Sequence, residues 1–266
     1  MARAASAITK TFIKEGKLSY SNKDTGGLTY LGLSYNKWPQ ADIWPQVFEI
    51  MLKVKPSLRS DQLKRIGTSN GVQITLTENE ESQINSLLEP LRPKVIAFYK
   101  KLFWDIIGGD DILSQTFAES FFDFSVNTGS GTAAKILQTY LGVTADGAIG
   151  PKTLTKLNGQ LLQNTYNVHI DFTLLKVKRY TEIVNGNNAQ LANYHGWLNR
   201  TFEVFDEVFE IEIIESIKDK FPDAIPADLV PDINKLLAMY NYNKEYSSNK
   251  SSANLSNLHK KINELI

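Results

Sequence analysis

Cysteine is absent from the 266 residues, which removes disulfides, thiolate metal sites and every cysteine nucleophile. Histidine is scarce. His169, His195 and His259 lie far apart and no H-E-x-x-H occurs, so a zinc hydrolase with converging ligands is not expected. The patterns G-x-S-x-G, G-x-x-x-x-G-K-[ST] and G-x-G-x-x-G are missing as well. Excess charge of one sign is lacking: 29 basic side chains face 29 acidic ones, without the basic surplus of a nucleic-acid protein. Attraction to an anionic surface must come from local patches. The N-terminal MARAASAITKTFIKEG has no apolar run of the signal-peptide kind, and no segment reaches the roughly 18 apolar residues of a membrane span. What remains for hydrolysis is mostly carboxylate chemistry, with no metal and no organic cofactor implied.

What is present is a 42% hydrophobic chain, enough for a sizeable core, at a length between one large domain and two small ones. Ala4, Ile8 and Phe12 recur at helical spacing over residues 3–15, and Gly16 is a plausible stop. Residues 16–35 are rich in Gly, Ser, Asn, Asp and Thr, with apolar alternation in LTYLGL, and read as a loop with a small β-hairpin. Helical periodicity returns at 42–55 and at 79–107, where Pro90 and Pro93 must kink or divide the helix. Between them RIGTSNGVQITLT predicts a turn and a short strand. Helices follow at 111–127 and 132–141, then after Pro151, which suits a first helical position. Residues 160–184 and 190–219 read as long helices and 232–242 as a short one. NKEYSSNKSSANLSN reads as a Ser/Asn-rich linker before a last amphipathic helix carrying Leu255, Leu258, Ile262 and Leu265.

The most informative stretch is FIKEGKLSYSNKDTGGLTYLGLS, Phe12 to Ser34. Glu15 ends a helix, Asp24 follows in a glycine-flanked loop, and Thr29 comes after Gly26 and Gly27. A glycosidase needs an acid for the leaving oxygen and often a second group for water or for the oxocarbenium ion. A Glu part-buried against apolar neighbours stays protonated near neutrality. A returning hairpin can bring Asp24 and Thr29 to face it. Gly26 and Gly27 let the backbone approach a sugar or adopt positive φ. The plainer reading is a solvated helix end followed by a turn.

This stretch resembles the N-terminal signature of glycoside hydrolase family 108, approximately E-G-G-Y-x-N-D-x-x-D-x-G-G-x-T-x-x-G-I. It matches without a gap at Glu15, Gly16, Asp24, Gly26, Gly27, Thr29 and Gly32, with Leu33 for Ile. The spacing of Glu, Asp and Thr is also similar to that of phage-type lysozymes. The resemblance implies a muramidase in which Glu15 is the proton donor, and Asp24 and Thr29 hold water or the opposite face of the sugar. Lys17 replaces the second Gly, Leu18 the Tyr, and Tyr20-Ser21 the Asn-Asp pair, which bears on substrate contacts.

Later segments follow in the family's order. YKKLFWDIIGGDDI and FFDFSVNTG are similar to Y-x-x-x-Y-W-D and F-D-x-x-V-N-x-G. Asp123 and Asn127, four apart, share a helix face. The resemblance sets that face beside the cleft, where Asn127 would bond an acetamido group; its other reading is a helix C-cap. Phe121, Phe122, Phe124 and Trp104 read as core before sugar platforms. LQTYLGVTADGAIGPKTLTKL resembles the family's peptidoglycan-binding segment, although the Asp146-Gly147 turn and Pro151 explain it equally as architecture. YHGWLNR resembles a G-W-L-x-R ending, in which Tyr194 and Trp197 either stack on a sugar or pack a helix.

The expectation is therefore a mainly α chain: a lysozyme-like helical catalytic region over 1–130 with a small β-hairpin beside the active-site cleft. A peptidoglycan-binding-like helical region follows over 131–205, then a helical C-terminal extension over 206–266. The implied reaction is hydrolysis of the β-1,4 bond between N-acetylmuramic acid and N-acetylglucosamine, lysing bacterial walls. Its partner would be peptidoglycan glycan strands, with no nucleic acid and no membrane span. The extension would cap the fold, dock to a larger assembly or self-associate. The wall would be reached through a pore, in a virion or by a secretion system. The alternatives are an inactive wall-binding or structural phage component, or a delivered interaction protein.

Overall fold

A computed structural model describes residues 2–15, 17–20, 27–69, 71, 73–211 and 229–266, with the side chains of 12–15 excepted. The chain is mainly α-helical with one small antiparallel sheet, as expected, and it divides into two bodies, Arg3–Asp105 and Ile106–Ile266. Among the described residues no helix is long and apolar enough to cross a membrane.

In Arg3–Asp105, α1 (Ala4–Glu15) buries Ala7, Ile8 and Thr11, a stripe at helical spacing that packs on α5 (Arg92–Tyr99). The α2 helix (Trp44–Val54) starts on Pro45 and buries Trp44, Val47, Phe48 and Met51. A short α3 (Ser60–Lys64) follows. Thr77 then caps α4 (Glu78–Leu88) in a reciprocal box with Glu80. Among the described residues of VQITLT no strand forms: residues 73–77 have no regular secondary structure. Ile74 and Leu76 are nevertheless buried between exposed neighbours, so the alternation reports a half-buried segment and not strand pairing. Pro90 and Pro93 divide the next helix as expected, with a 3₁₀ turn at Glu89–Leu91 before α5. A π turn at Lys100–Trp104 follows, closed by Asp105 N–H on the Lys100 carbonyl at 2.9 Å.

The predicted hairpin is present and gains a third strand. β1 (Leu18–Ser19), β2 (Thr29–Tyr30) and β3 (Leu33–Ser34) pair in that order, with Leu18 opposite Tyr30 and Thr29 opposite both Ser19 and Ser34. Leu18, Tyr30 and Leu33 therefore share the buried face, and Thr29 stands on the other. The Tyr30 hydroxyl donates to the Leu88 carbonyl at 2.9 Å, and burial raises its pKa to about 12.

In Ile106–Ile266, α6 (Gln115–Thr128) sends Phe117, Phe121 and Phe124 against Phe172. These rings, Phe122 and Trp104 are all fully buried, in line with the core reading. Gly129, at φ 86°, ends α6 before α7 (Ser130–Leu141), and Gly142, at φ 67°, ends α7. The long α8 (Pro151–Gly186) breaks at Asn164 (φ −156°, ψ 86°), whose Oδ1 accepts from Asn167 N–H at 3.2 Å and recaps the helix. α9 (Leu191–Phe209) stops short of the expected 219, at Glu210 with φ 47°; residues 212–228 lie outside the described ones.

The expected linker needs correction. α10 (Val230–Ser248) runs through its first half and α11 (Ser252–Asn263) begins inside its second. Ser and Asn composition signals a linker only where nothing packs on it. Here Asn243 is buried and donates to Asn199 Oδ1 at 2.7 Å, and Tyr246 meets the His195 ring. Both helices pack on α8 and α9, which suits a cap on this body.

Candidate active site

Glu15 is the last residue of α1; its side chain, Asp24 and Gly26 lie outside the described residues. The backbone around them is nonetheless informative. β1 starts at Leu18, three positions beyond Glu15, and pairs with the strand that carries Thr29. Asn85 Oδ1 accepts from the Leu18 N–H at 3.1 Å and ties this strand to α4. The two-residue turn Leu31-Gly32, at φ 48° and 76°, brings β3 back. Leu31 is buried and its N–H donates to the Lys17 carbonyl at 3.3 Å, which offsets the strain of a left-handed Leu. Thr29 is half-buried, and among the described residues its hydroxyl makes only a long local contact, 3.4 Å to the Gly27 carbonyl. The hydroxyl thus stands off the core face with acceptor capacity to spare.

Gly27 has the positive φ expected of it, 66°. Its close approach, however, is to the chain itself: an added Cβ would lie 2.3 Å from the Ile66 carbonyl oxygen and 2.5 Å from Asn36 Nδ2. Asn36 Nδ2 donates to that same carbonyl at 3.1 Å. Gly27 is therefore needed where this corner seats against Ile66. The departure at Leu18 has a comparable explanation: with 6% exposure it is a core residue beside Tyr30 and Leu33.

In the second body, Asp123 and Asn127 share a face of α6 as predicted, and α9 brings Arg200 onto them. Arg200 Nη2 donates to Asn127 Oδ1 at 2.8 Å, and its Nε lies 3.5 Å from Asp123 Oδ1. Asn127 Nδ2 donates back to the Asp123 carbonyl at 2.8 Å and carboxylate at 3.2 Å. The amide is thus committed on both sides, and an acetamido group would have to displace one of these partners. The helix C-cap falls at Gly129, within the Asn127-Thr128-Gly129 segment where a cap was the other reading. Beside the triad, Trp197 stacks on Tyr180 with ring centroids 5.0 Å apart at 22°. Burial holds the Tyr180 hydroxyl well above its ordinary pKa, and the Asp123 charge adds to this.

Tyr194 requires a correction. Its ring is fully buried, edge-on to His259, with its hydroxyl 2.7 Å from the Thr181 hydroxyl, so it cannot stack on a sugar. Trp197 is half-buried and keeps the expectation that Tyr194 loses. Arg200, the last residue of the G-W-L-x-R match, had no expected role, and Tyr180 was not anticipated; the signal for Arg200 was its place three residues after Trp197, on the same helical side.

The Asp146-Gly147 turn is architecture. Gln138, 1% exposed on α7, donates to Asp146 Oδ1 at 2.7 Å and the Ala148 carbonyl at 2.9 Å, and accepts from Gly147 N–H at 2.8 Å. The Ala148 N–H and this amide hold the Asp146 carboxyl below its usual range. His195 bonds Ser247 at 2.8 Å, a structural contact.

Comparison with known proteins divides the chain between α6 and α7, beyond the Asp105–Ile106 boundary of the two bodies. Residues 8–129 match the family model described as Glycosyl hydrolase 108, and residues 132–202 match the one described as Predicted Peptidoglycan domain. Among solved structures, the chain is similar to the structure of Brucella abortus SagA, at 20% identity over 76% of this chain and 90% of that one, with a TM-score of 0.47. No curated protein matches it.

Proposed function

The chain belongs to glycosyl hydrolase family 108 through residues 8–129, with a predicted peptidoglycan domain at 132–202, and from that premise we propose an N-acetylmuramidase whose general acid is Glu15. As a family member it is a peptidoglycan hydrolase of the muramidase type. The proposal adds the bond, the β-1,4 link from N-acetylmuramic acid to N-acetylglucosamine, and the residues.

In this reading Glu15 gives its proton to the glycosidic oxygen as the C–O bond breaks, because an alkoxide is too poor a leaving group at neutral pH. Positive charge then develops at the anomeric carbon. Asp24 and Thr29 serve the opposite side: the carboxylate opposes the developing charge, and the hydroxyl holds the incoming water. The observation that carries the reading is the sheet register. Thr29 lies opposite Ser19 on the strand that follows Glu15 and stands off the core face, so the signature's helix end and its threonine are held in one small corner.

The test is release of reducing ends from purified peptidoglycan by the wild type and by Glu15→Gln, which keeps size and removes the proton. Activity in the wild type and a loss of about a hundredfold or more in the variant support the assignment. Full activity in the variant overturns Glu15 as the acid. A wild type inert on several wall chemistries overturns the muramidase reading in favour of a wall-binding component.

A further inference from the structure

A groove of about 570 Å³ lies between α7, α8 and α10 in the second body, within the usual size range of ligand clefts. Ile136, Leu174 and Leu175 give it an apolar floor. Lys135, Lys178, Arg179 and Lys235 stand around it, against Asp171 and Glu182. Among the described residues no salt bridge takes Lys178 or Lys235, and Arg179 reaches Glu182 only at 3.5 Å. Arg179 Nε is buried with no hydrogen-bond partner among those residues. Two lysines without ion-pair partners among the described residues and a loosely held arginine, set over an apolar floor, suit a ligand that carries both negative charge and apolar groups. At the other end of the wall, the Tyr140 hydroxyl donates to the Asp171 carboxylate.

We propose that this groove binds a short peptide bearing free carboxylates and small apolar side chains, the chemistry of the stem peptides carried by peptidoglycan glycan strands. The choice of wall rests on the muramidase reading. Arg179, Lys178 and Lys235 take the carboxylates, the Ile136–Leu174–Leu175 floor takes the methyl groups, and Asp171 takes a free amine. The groove lies on residues other than the Asp146 turn and the Trp197 face. It would hold the peptide while the Glu15 corner works on the sugar, raising the local concentration of glycan at the acid.

The full chain is titrated with synthetic stem pentapeptide by calorimetry and NMR, and compared with a Lys178→Gln/Lys235→Gln variant. Both lysines reach solvent, so the variant's unfolding midpoint should match the wild type. Saturable binding that weakens with salt, and falls about tenfold in the variant, supports the site. The variant should also lose about tenfold in retention on intact peptidoglycan, yet release reducing ends from peptide-free glycan strands at the wild-type rate. No saturable peptide binding, equal binding by the variant, or binding of a polyphosphate wall polymer in place of the peptide would each overturn the proposal. Glu15-dependent hydrolysis with no peptide binding fails the groove alone, whereas lysine-dependent peptide binding with no hydrolysis of any wall fails the muramidase reading alone.

Discussion

In Arg3–Asp105 the contacts that seat the small sheet and its corner run from side chain to backbone, whereas in Ile106–Ile266 the contacts that join one long helix to another run from side chain to side chain. In the first, Asn85 takes the Leu18 N–H, Tyr30 and Asn36 donate to the Leu88 and Ile66 carbonyls, and Trp44 Nε1 donates to Trp38 O at 2.8 Å. In the second, Arg200 joins Asn127, Thr181 joins Tyr194, Asn243 joins Asn199, and the buried Lys176 ammonium donates to Ser120 Oγ at 3.1 Å. Short strands and loops leave backbone groups unpaired, and side chains must satisfy them. Long helices satisfy their own backbone, so their side chains are free to bond one another across helices. The first body is therefore expected to be intolerant of altered backbone geometry, and the second of altered side chains.

The sharpest way to break this contrast is a pair of glycines with the same backbone angle. Gly27 and Gly142 have φ 66° and 67°, but Gly142 has open space where its Cβ would go, while Gly27 meets the Ile66 carbonyl. Gly142→Ala should cost about 1 kcal/mol, the left-handed strain alone. Gly27→Ala should cost about 4 kcal/mol, because backbone overlap adds to that strain. Urea unfolding of both variants measures the difference; equal costs would refute the seating of this corner against Ile66.

A slightly smaller effect is expected from His169 in the second body. Burial first, and then the Lys176 charge, lower its pKa to about 4. The unfolded chain takes up this proton near pH 6.5 and the folded one does not until about pH 4, so stability is full above 6.5 and drains as pH falls between those values. The loss should be about 3 kcal/mol, read from urea midpoints across pH, and His169→Leu should flatten that part of the profile.

Smaller again, Arg200→Met should cost about 2 kcal/mol by leaving the half-buried Asp123 and Asn127 without their cation. Arg200→Lys should recover only part of this, since an ammonium cannot span both partners as the guanidinium fork does. Full recovery by Lys would reduce the triad to simple charge pairing.

Much of this molecule was legible in its residues. Helical spacing located α1, α2, α6 and α7, and the tandem prolines located the break before α5, because hydrophobic period and missing donors act locally. The Gly- and Thr-rich stretch before Gly32 located the small hairpin for the same reason, since turn chemistry is written in neighbouring residues, while the family came from the resemblance of the Glu15-to-Gly32 motif, which the match over residues 8–129 bears out. Pairing beyond the local hairpin was not legible. Ile74 and Leu76 alternate as a strand would, yet only a neighbour's free edge could have made them one. Asn243 and Tyr246 look like linker residues until α9 is packed against them.

The residues alone thus determined the fold class and the place of the helix end and hairpin that frame the signature, since each depends on composition or short-range spacing. Tertiary structure alone decided that Tyr194 is core while Trp197 keeps exposed surface, that Arg200 commits Asn127, that Gly27 serves Ile66, and that α7, α8 and α10 enclose a cationic groove. Each of those depends on which helix faces meet, and the free energy of burying one face against another is not carried by either helix alone.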